Sequence, residues 1–255
     1  MDKAEFEAEG DRLLELARSN GIVLRLLGAL AFTKRCPGHA HLQDRLGRVY
    51  TDIDFAAYGR DAARLQSVLS AEGYRQDPDV FMSSGGSRLV ADHPATGLHL
   101  DVFFDRLEFC HVVPWKGRLE IHDQTIPLAE MLLQKMQIVE INEKDLIDTM
   151  MLLLEHELTD DDRGVNAAMV AAICAEDWGW WRTLTMNLEK VKQMAAHYQQ
   201  LTPDEKGQVT GQVDSLRRRI DEAPKTLGWR VRARVGDRKK WYREVGELDP
   251  EPQEH

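Results

Sequence analysis

This sequence has few cysteines and no long apolar run. Its three cysteines, Cys36, Cys110 and Cys174, are far apart and form no CxxC pair. This spacing argues against a disulfide framework or a zinc knuckle and predicts a protein of a reducing, cytoplasmic compartment. No apolar stretch approaches the roughly 20 residues that span a bilayer, and the acidic segment 1–10 does not resemble a signal peptide. We therefore expect no membrane association.

Charge of both signs is abundant but unevenly distributed. The 255 residues carry a formal net charge of −10. Segment 217–243 holds eleven Lys and Arg against three acidic residues, a charge of +8, which leaves −18 for the rest of the chain. An acidic body discourages indiscriminate binding of nucleic acids, whereas a basic segment attracts a phosphate-rich partner. The arginines at 217–219 and the mixture of Trp and Arg at 229–234 fit either an RNA contact or a solvated basic face.

Hydrophobic periodicity divides the chain into two predicted domains. Over residues 1–125, helical patterns alternate with short apolar strands and end in antiparallel hairpins, which indicates an α+β (α/β) domain on a mixed sheet. One of these hairpins is expected around 83–86. Over residues 126–245 the patterns are mostly helical, beginning with one long helix over about 128–157. The tail at 246–255 is rich in Pro and Glu, and we expect it to be disordered.

Two aspartates separated by one residue give the strongest functional signal. Asp52 and Asp54 lie on a segment with strand character, so both side chains project to one face of a sheet while Ile53 and Phe55 face the core. Adjacent carboxylates repel each other, and hard divalent cations such as Mg²⁺ or Mn²⁺ relieve that repulsion. Two solvated carboxylates on a surface strand are the simpler alternative.

A third carboxylate and a glycine turn fit the same metal site. Asp101 lies between apolar neighbours on another predicted strand, where it would complete a two-metal site for phosphoryl transfer. Asp105 is its competitor, but it falls at the strand end, so we favour Asp101. Upstream, Gly28 lies where a strand passes into a helix, and the backbone N–H groups of such a turn bind phosphate.

The predicted helix from residue 128 carries polar residues along its apolar stripe. Lys135 falls on that stripe, where a charge is costly without a partner. On the same helical wheel, Asn142 lies about 20° and Asp145 about 80° from Lys135. These groups are suited to meet triphosphate oxygens and to orient catalytic groups. A snorkelling lysine or an ordinary Lys135–Asp145 ion pair is the alternative.

Histidines and tryptophans give weaker signals. His99 alternates with Asp101 and comes near the same predicted site, but a structural histidine is the simpler interpretation. The cluster of Trp178, Trp180 and Trp181 indicates helix packing more than base stacking.

Taken together, these motifs resemble the polymerase-β-like nucleotidyltransferase superfamily, in particular the AbiEii-type nucleotidyltransferase-like toxins of type IV toxin–antitoxin systems. The superfamily pattern is a turn of a hydrophobic residue, Gly and then Ser or Gly, followed by Asp-x-Asp and by a third acid on a later strand. Here it reads Leu27-Gly28-Ala29, Asp52-Ile53-Asp54 and Asp101. The AbiEii-type helix pattern of Lys, then Lys-Asp, then a further Asp reads Lys135, Lys144-Asp145 and Asp148. The likeness covers about residues 20–155.

The resemblance implies a polymerase-β-like nucleotidyltransferase domain followed by a C-terminal helical domain. It implies that Asp52 and Asp54 hold the metals and that Asp101 is the third ligand or the base near the attacking hydroxyl. Lys135 and Asp145 would be a helix-borne catalytic pair. The nucleotide would be bound by Lys135 together with the turn Gly28-Ala29.

The sequence departs from this family pattern in two places. Ala29 replaces the usual Ser, which removes a hydroxyl that would bond a phosphate oxygen. The stretch between the glycine turn and the Asp-x-Asp pair is longer than the family usually shows. We interpret segment 33–48 as a candidate lid or substrate-selecting loop whose basic residues meet phosphates: Lys34, Arg35, Arg45 and Arg48.

The expected function is Mg²⁺-dependent transfer of a nucleoside monophosphate from an NTP to an acceptor hydroxyl. The acceptor is open between an RNA end, a protein side chain and a small molecule, and the basic segment favours RNA. A toxin role with an antitoxin-like partner is implied by the family alone. One alternative is a catalytically silent nucleotide- or RNA-binding module of the same fold, which Ala29 favours. Another is a regulatory protein whose helical half docks a partner.

Overall fold

The structure is a computed structural model, and it describes residues 3–44 and 51–244. The predictions for Arg45, Arg48 and the tail at 246–255 lie outside these residues. Within the described ranges there are nine strands: β1 (Leu24–Leu26), β2 (Asp52–Ala57), β3 (Arg75–Gln76), β4 (Arg88–His93), β5 (Leu98–Phe104), β6 (Arg106–Glu108), β7 (Val112–Pro114), β8 (Leu158–Thr159) and β9 (Val165–Asn166).

The same ranges contain eleven α-helices: α1 (Lys3–Ser19), α2 (Gly28–Arg35), α3 (His41–Asp44), α4 (Ala62–Ala71), α5 (Pro78–Ser83), α6 (Leu128–Met136), α7 (Glu143–Glu155), α8 (Ala167–Glu176), α9 (Trp178–His197), α10 (Pro203–Glu222) and α11 (Leu227–Val235). None of these helices of the described chain combines the length and the apolar character needed to cross a bilayer.

Strands β1 to β5 form one mixed sheet in the order β1-β2-β5-β4-β3. The central strands β2 and β5 run parallel, and the other neighbouring pairs run antiparallel. The chain between the two parallel strands passes through α4, β3, α5 and β4, which supplies the long crossover that a parallel pair requires. The α+β prediction with a mixed sheet is therefore confirmed.

The two faces of this sheet differ in chemistry because side chains alternate along each strand. On one face, Phe55, Leu100 and Val102 pack against Leu13 of α1 and Leu65 of α4. The opposite face carries the polar side chains of the central strands and shares a cavity with α6. The sheet thus buries one face in the core and presents the other to a site.

The helical half packs around α9 and α10. Helix α6 contacts α2, α7, α8 and α9, and α10 contacts α7, α8 and α9. Apolar side chains of both halves belong to one continuous buried cluster. The predicted domain boundary between residues 125 and 126 falls just before α6, and it stays a prediction.

Two predicted elements are wrong. The helix expected over about 128–157 is two helices, α6 and α7. The chain starts a new helix because Asn142 caps it, accepting a hydrogen bond from the backbone N–H of Asp145 at 2.9 Å.

The hairpin expected around 83–86 is instead the short helix α5, which is followed by a turn into β4. Asp77 begins α5 by accepting hydrogen bonds from the N–H groups of Asp79 and Val80. Pro78 occupies the first helical position, where its missing N–H has no consequence.

Candidate active site

A cavity of about 670 Å³ opens at the polar face of the sheet. Its wall gathers residues that are far apart in the sequence: Gly28, Asp52, Asp54, Asp101, Lys135 and Asp145. These are all the side chains predicted to be catalytic or to bind metal. Of the predicted nucleotide-binding residues, Ala29 is not part of the wall, and neither are Lys34 and Arg35 of the predicted lid, whose side chains contact Asp11 and Thr125 instead.

The three aspartates share one face of the sheet because of the strand register. Strands β2 and β5 run parallel with Asp54 directly opposite Asp101. Asp52 lies two residues before Asp54 and therefore projects to the same side. A register shifted by one residue would have turned Asp101 into the apolar core.

Burial makes two of these carboxylates, Asp54 and Asp101, hold protons more tightly. Burial first, and then the charges of Asp52 and Asp101, raise the pKa of Asp54 to about 8. Burial also raises the pKa of Asp101, although the neighbouring Arg88 opposes that change. At neutral pH the metal-free site therefore keeps a proton on Asp54, and a divalent cation that binds there must displace it.

Gly28 is the residue on which the close approach of α2 to Asp54 depends. Its φ is +63°, a left-handed conformation that favours glycine, and a Cβ at this position would lie 2.0 Å from Oδ2 of Asp54. The preceding residue, Leu27, donates its backbone N–H to the carbonyl of Asp54 at 3.0 Å. The turn and the carboxylate are thus fixed against each other.

We expect Gly28→Ala to cost about 1–3 kcal/mol of unfolding free energy beyond the cost of Gly85→Ala. Gly85 is a matched control, because its φ is +62° but a Cβ there would meet nothing within 4 Å. The control variant bears only the strain of a left-handed residue, about 1–2 kcal/mol. Urea denaturation measures both. Adding Asp54→Ala to Gly28→Ala should remove most of the extra cost, and equal costs for the two single variants would contradict the prediction.

Lys135 lies between two carboxylates of α7. Its Nζ is 2.7 Å from Oδ1 of Asp145 and 2.9 Å from Oδ2 of Asp148, and it stands 5.5 Å over the ring of Phe32. The Lys135–Asp145 ion pair, which was the alternative to a catalytic role, is therefore present. Both of its residues also line the cavity. The prediction that Lys135 and Asp145 lie on one helix, about 80° apart, is wrong, because the two residues belong to α6 and α7, which pack side by side. Asp148 is fully buried and accepts a further bond from Gln43 at 2.6 Å.

Arg88 of β4 is a cavity residue that the sequence analysis missed. Its Nε lies 2.9 and 3.0 Å from the two carboxylate oxygens of Asp101, and its Nη2 donates to Oδ2 at 2.5 Å. The guanidinium also stands 5.5 Å over the ring of Phe103. Only the pairing of β4 with β5 brings this side chain to Asp101, so no local sequence signal indicated it.

We expect Arg88→Ala to raise the affinity of the nucleotide-free protein for Mn²⁺ by about tenfold, because a charge-assisted hydrogen bond of this kind contributes about 1.5–3 kcal/mol. Removing the guanidinium frees both oxygens of Asp101 for a metal ion. Calorimetric titration at pH 8.5, above the pKa of about 8 that Asp54 has, measures the effect. Arg75→Ala, on the neighbouring strand β3, removes the same charge outside the cavity and should leave the affinity unchanged. Weaker binding by Arg88→Ala would contradict this role.

Gln134 of α6 joins that helix to the glycine turn. Its Oε1 accepts the backbone N–H of Gly28 at 3.1 Å, and its Nε2 is buried without an acceptor among the described residues. Buried donors are rarely left unpaired in native proteins, so this one marks a place where an acceptor on a ligand fits. Gln134 also occupies the Gly28 N–H that is expected to bind phosphate.

The oxygen atoms of the cavity suit a hard cation, but the carboxylates of Asp52, Asp54 and Asp101 do not converge on one point. Oxygen ligands of this kind bind Mg²⁺ and Mn²⁺, and the repulsion around Asp54 favours a positive charge. Across residues 3–44 and 51–244, no group of three or more His, Cys, Asp or Glu side chains lies close enough together to hold a metal ion. Asp101 is turned toward Arg88, so a site made from Asp52, Asp54 and Asp101 requires Arg88 to release it.

Three other polar residues from the sequence analysis have structural contacts. Asp105 does not line the cavity, and its Oδ1 accepts the backbone N–H of Gly59 at 3.0 Å. Asn142 caps α7. His99 lines the cavity, but its Nδ1 lies 2.8 Å from Oδ1 of Asp92, which fits the simpler interpretation of a structural histidine.

Comparison of the chain with models of protein families and with curated proteins gives no match.

Proposed function

We propose that this protein is a Mg²⁺-dependent nucleotidyltransferase. It would transfer a nucleoside monophosphate from an NTP to an acceptor hydroxyl and release pyrophosphate. The observation that supports this most is the alignment of Asp54 with Asp101 on parallel strands, beside a cavity that also touches Gly28 and Lys135. Carboxylates, a glycine turn and a cation on one cavity are the groups that phosphoryl transfer uses.

Each residue of the cavity has a role in this proposal. Asp52 and Asp54 hold the cations, and Asp101 serves as third ligand or as base. When bound by these residues, Mg²⁺ would supply positive charge that offsets the charge of the triphosphate and of the pyrophosphate. The N–H of Gly28, once Gln134 releases it, donates to a phosphate oxygen, as expected for a glycine turn at a helix start. Lys135 adds positive charge at the same oxygens.

In the reaction, the acceptor oxygen forms a bond to the α-phosphorus while the bond from that phosphorus to the pyrophosphate oxygen breaks. The hydroxyl proton passes to a carboxylate of the cluster, for which Asp101 is the candidate. The nucleoside monophosphate is then joined to the acceptor by a phosphodiester bond, and pyrophosphate leaves with the electron pair of the broken bond.

The family resemblance extends this proposal. The extended proposal adds four parts: the polymerase-β-like nucleotidyltransferase fold, kinship with AbiEii-type toxins, a cytoplasmic location and an antitoxin-like partner. These parts are supported by the sequence motifs around Gly28, Asp52 and Lys135 rather than by any further contact.

The test is transfer of label from each α-labelled NTP, with Mg²⁺ or Mn²⁺, to total RNA, protein or small acceptors. Transfer should be lost in Asp52→Ala and in Asp54→Ala. Asp123→Asn is the control, since this carboxylate is 82% exposed and outside the cavity, and it should transfer like the wild type. Transfer that survives in the two alanine variants would refute the proposed site.

A catalytically silent nucleotide-binding module is the second candidate, and the Arg88–Asp101 contact favours it. That contact neutralises the third carboxylate without a metal ion. The module would bind NTP tightly in the same assay and would transfer label to no acceptor, whereas the enzyme would do both.

A further inference from the structure

A second cavity lies on the helical half, formed by residues of α9, α10 and α11. It measures about 710 Å³, and three indoles line it: Trp178, Trp181 and Trp229. The ring centroids of Trp178 and Trp181 are 6.1 Å apart, and those of Trp181 and Trp229 are 5.4 Å apart. We call this cavity the tryptophan groove. The predicted packing role suits Trp178 and Trp180, which are buried, but Trp181 is only half-buried, and so is Trp229.

One of these indoles lacks a hydrogen-bond partner. Trp181 donates its Nε1 to Asp221 at 3.0 Å. The Nε1 of Trp229 is buried and meets no acceptor within the described chain. An acceptor on a bound ligand would satisfy this donor.

Positive charge flanks the groove. Arg230 and Arg234 each follow a groove-lining residue of α11, Trp229 and Ala233, so they lie about 100° around the helix from the wall. Among the residues that the structure describes, no carboxylate pairs with either arginine. Within the wall, three further cations, Arg182, Lys190 and Arg217, outnumber one acid, Glu189.

The groove is a neighbour of the cavity at the polar face of the sheet, lined by Asp52, Asp54 and Asp101, which we call the acid cavity. Lys190 of the groove donates its Nζ to the carbonyl of Val139 at 3.3 Å, and the preceding residue, Ile138, lines the acid cavity. A second route follows the chain after α11. Trp241 packs on an indole of the groove at 6.0 Å between ring centroids, and Arg243 lines the acid cavity. Two residues span at most about 7 Å, so short stretches of chain link the linings of the two cavities.

We propose that the tryptophan groove binds an unpaired strand of nucleic acid, the acceptor strand of the transfer reaction. Bases stack on the indoles, and phosphates lie against Arg230 and Arg234, as in single-strand binding without sequence preference. The uneven charge fits this occupant, since segment 217–243 carries +8 against −18 in the rest of the chain. An acidic peptide would meet the arginines but offers no flat rings to the indoles. Only the role as acceptor depends on the proposed function; the binding of the strand does not.

Fluorescence anisotropy of a labelled single strand tests the binding. The probe has mixed sequence and about 12 nucleotides, within the length that one binding face covers, and it is made as RNA and as DNA to identify the source. Trp229→Leu should weaken binding by roughly 5- to 100-fold, the effect of losing one stacked base. A duplex of the same sequence should bind more weakly than the single strand.

A second variant keeps the test valid if Trp229→Leu fails to fold. Arg230→Gln with Arg234→Gln changes only exposed side chains, and it should lower the log–log slope of affinity against salt by about 1–2. The matched control is Arg163→Gln, an arginine 87% exposed in the turn between β8 and β9, which should bind like the wild type. Unchanged binding by both groove variants would overturn the proposal. Equal displacement of the strand by polyglutamate would identify a protein site instead and would also overturn it.

Label transfer separates the two proposals. Asp54→Ala should bind the strand normally and transfer no label to it. If binding depends on Trp229 and the wild type still transfers no label, the groove stands and the proposed function fails. If the wild type and Trp229→Leu transfer label to the strand equally well, the proposed function stands and the groove fails.

Discussion

Replacing Asp54 by asparagine is expected to abolish nucleotidyl transfer and, at the same time, to stabilise the metal-free protein above neutral pH. Transfer should fall by about 10²- to 10³-fold or more, because a charged group that binds metal is lost from the centre of the cavity. Stability should rise because burial and the charges of Asp52 and Asp101 oppose ionisation of Asp54. The melting temperature should increase by roughly 2–4 °C for each kcal/mol of repulsion removed.

The pH dependence follows from the raised pKa of Asp54. In the folded protein this pKa is about 8, whereas in an unfolded chain it is about 3.9. Between these values the folded state holds a proton that the unfolded state has released, so the unfolding free energy falls as pH rises from about 4 to about 8. The Asp54 contribution is fully present below that window and lost above it. A divalent cation binds the ionised form and should therefore reduce this loss.

Thermal melts between pH 5 and pH 9, in EDTA and in Mg²⁺, measure both effects. Subtracting the melting temperature of the wild type from that of Asp54→Asn cancels the effect of all other titrating groups, because the two proteins share them. In EDTA the difference should grow in favour of the variant as pH rises, and Mg²⁺ should stabilise only the wild type. Asp123→Asn serves as the control for loss of an exposed carboxylate. Parallel pH curves for wild type and Asp54→Asn would show that Asp54 ionises normally.

The alternation of the strands made the position of the acid cluster predictable. Asp52 and Asp54 are separated by one residue, so they share a face in any strand. The apolar neighbours of Asp101 placed it on a strand of its own, and the parallel register then put it beside Asp54. Gly28 followed from the strand-to-helix turn. Local patterns were sufficient for these residues because each one depends on its own strand or turn.

Other parts of the site depend on how elements meet, which local patterns do not contain. Arg88 reaches Asp101 only through the pairing of β4 with β5, and Gln134 reaches Gly28 only through the packing of α6 on α2. The break between α6 and α7 was missed because the apolar period continued across it. Asn142, a good helix cap, was the signal for that break.

Lys135→Met is expected to destabilise the protein by about 3–5 kcal/mol, because removing one partner of a buried ion pair leaves an uncompensated charge. Asp148 is fully buried, and the ammonium group of Lys135 lies 2.9 Å from its Oδ2. Without that ammonium group, a protonated Asp148 costs less free energy than a buried, unpaired carboxylate. The pKa of Asp148 should therefore rise in the variant. A raised carboxyl pKa gives stability that is present at low pH and lost as pH rises. The deficit of Lys135→Met should therefore be larger at pH 9 than at pH 6.

Urea denaturation with two companion variants tests this explanation. Lys192→Met is the matched control: its ion pair with Asp214 is similarly short, at 2.7 Å, but more exposed, and such surface pairs contribute about 0–1 kcal/mol. Lys135→Met combined with Asp148→Asn should regain most of the lost stability, because the buried charge is gone while Gln43 keeps an acceptor. A deficit as small as that of Lys192→Met would contradict the buried-charge explanation.

The same double variant separates the structural role of Lys135 from its catalytic one. If the lysine acts only by neutralising Asp148, then Lys135→Met with Asp148→Asn should recover label transfer together with stability. We expect stability without transfer, since the lysine also lines the acid cavity beside Asp145 and would contact phosphate oxygens there. Recovered transfer in the stable double variant would remove Lys135 from the catalytic residues and leave the aspartates and Gly28 as the site.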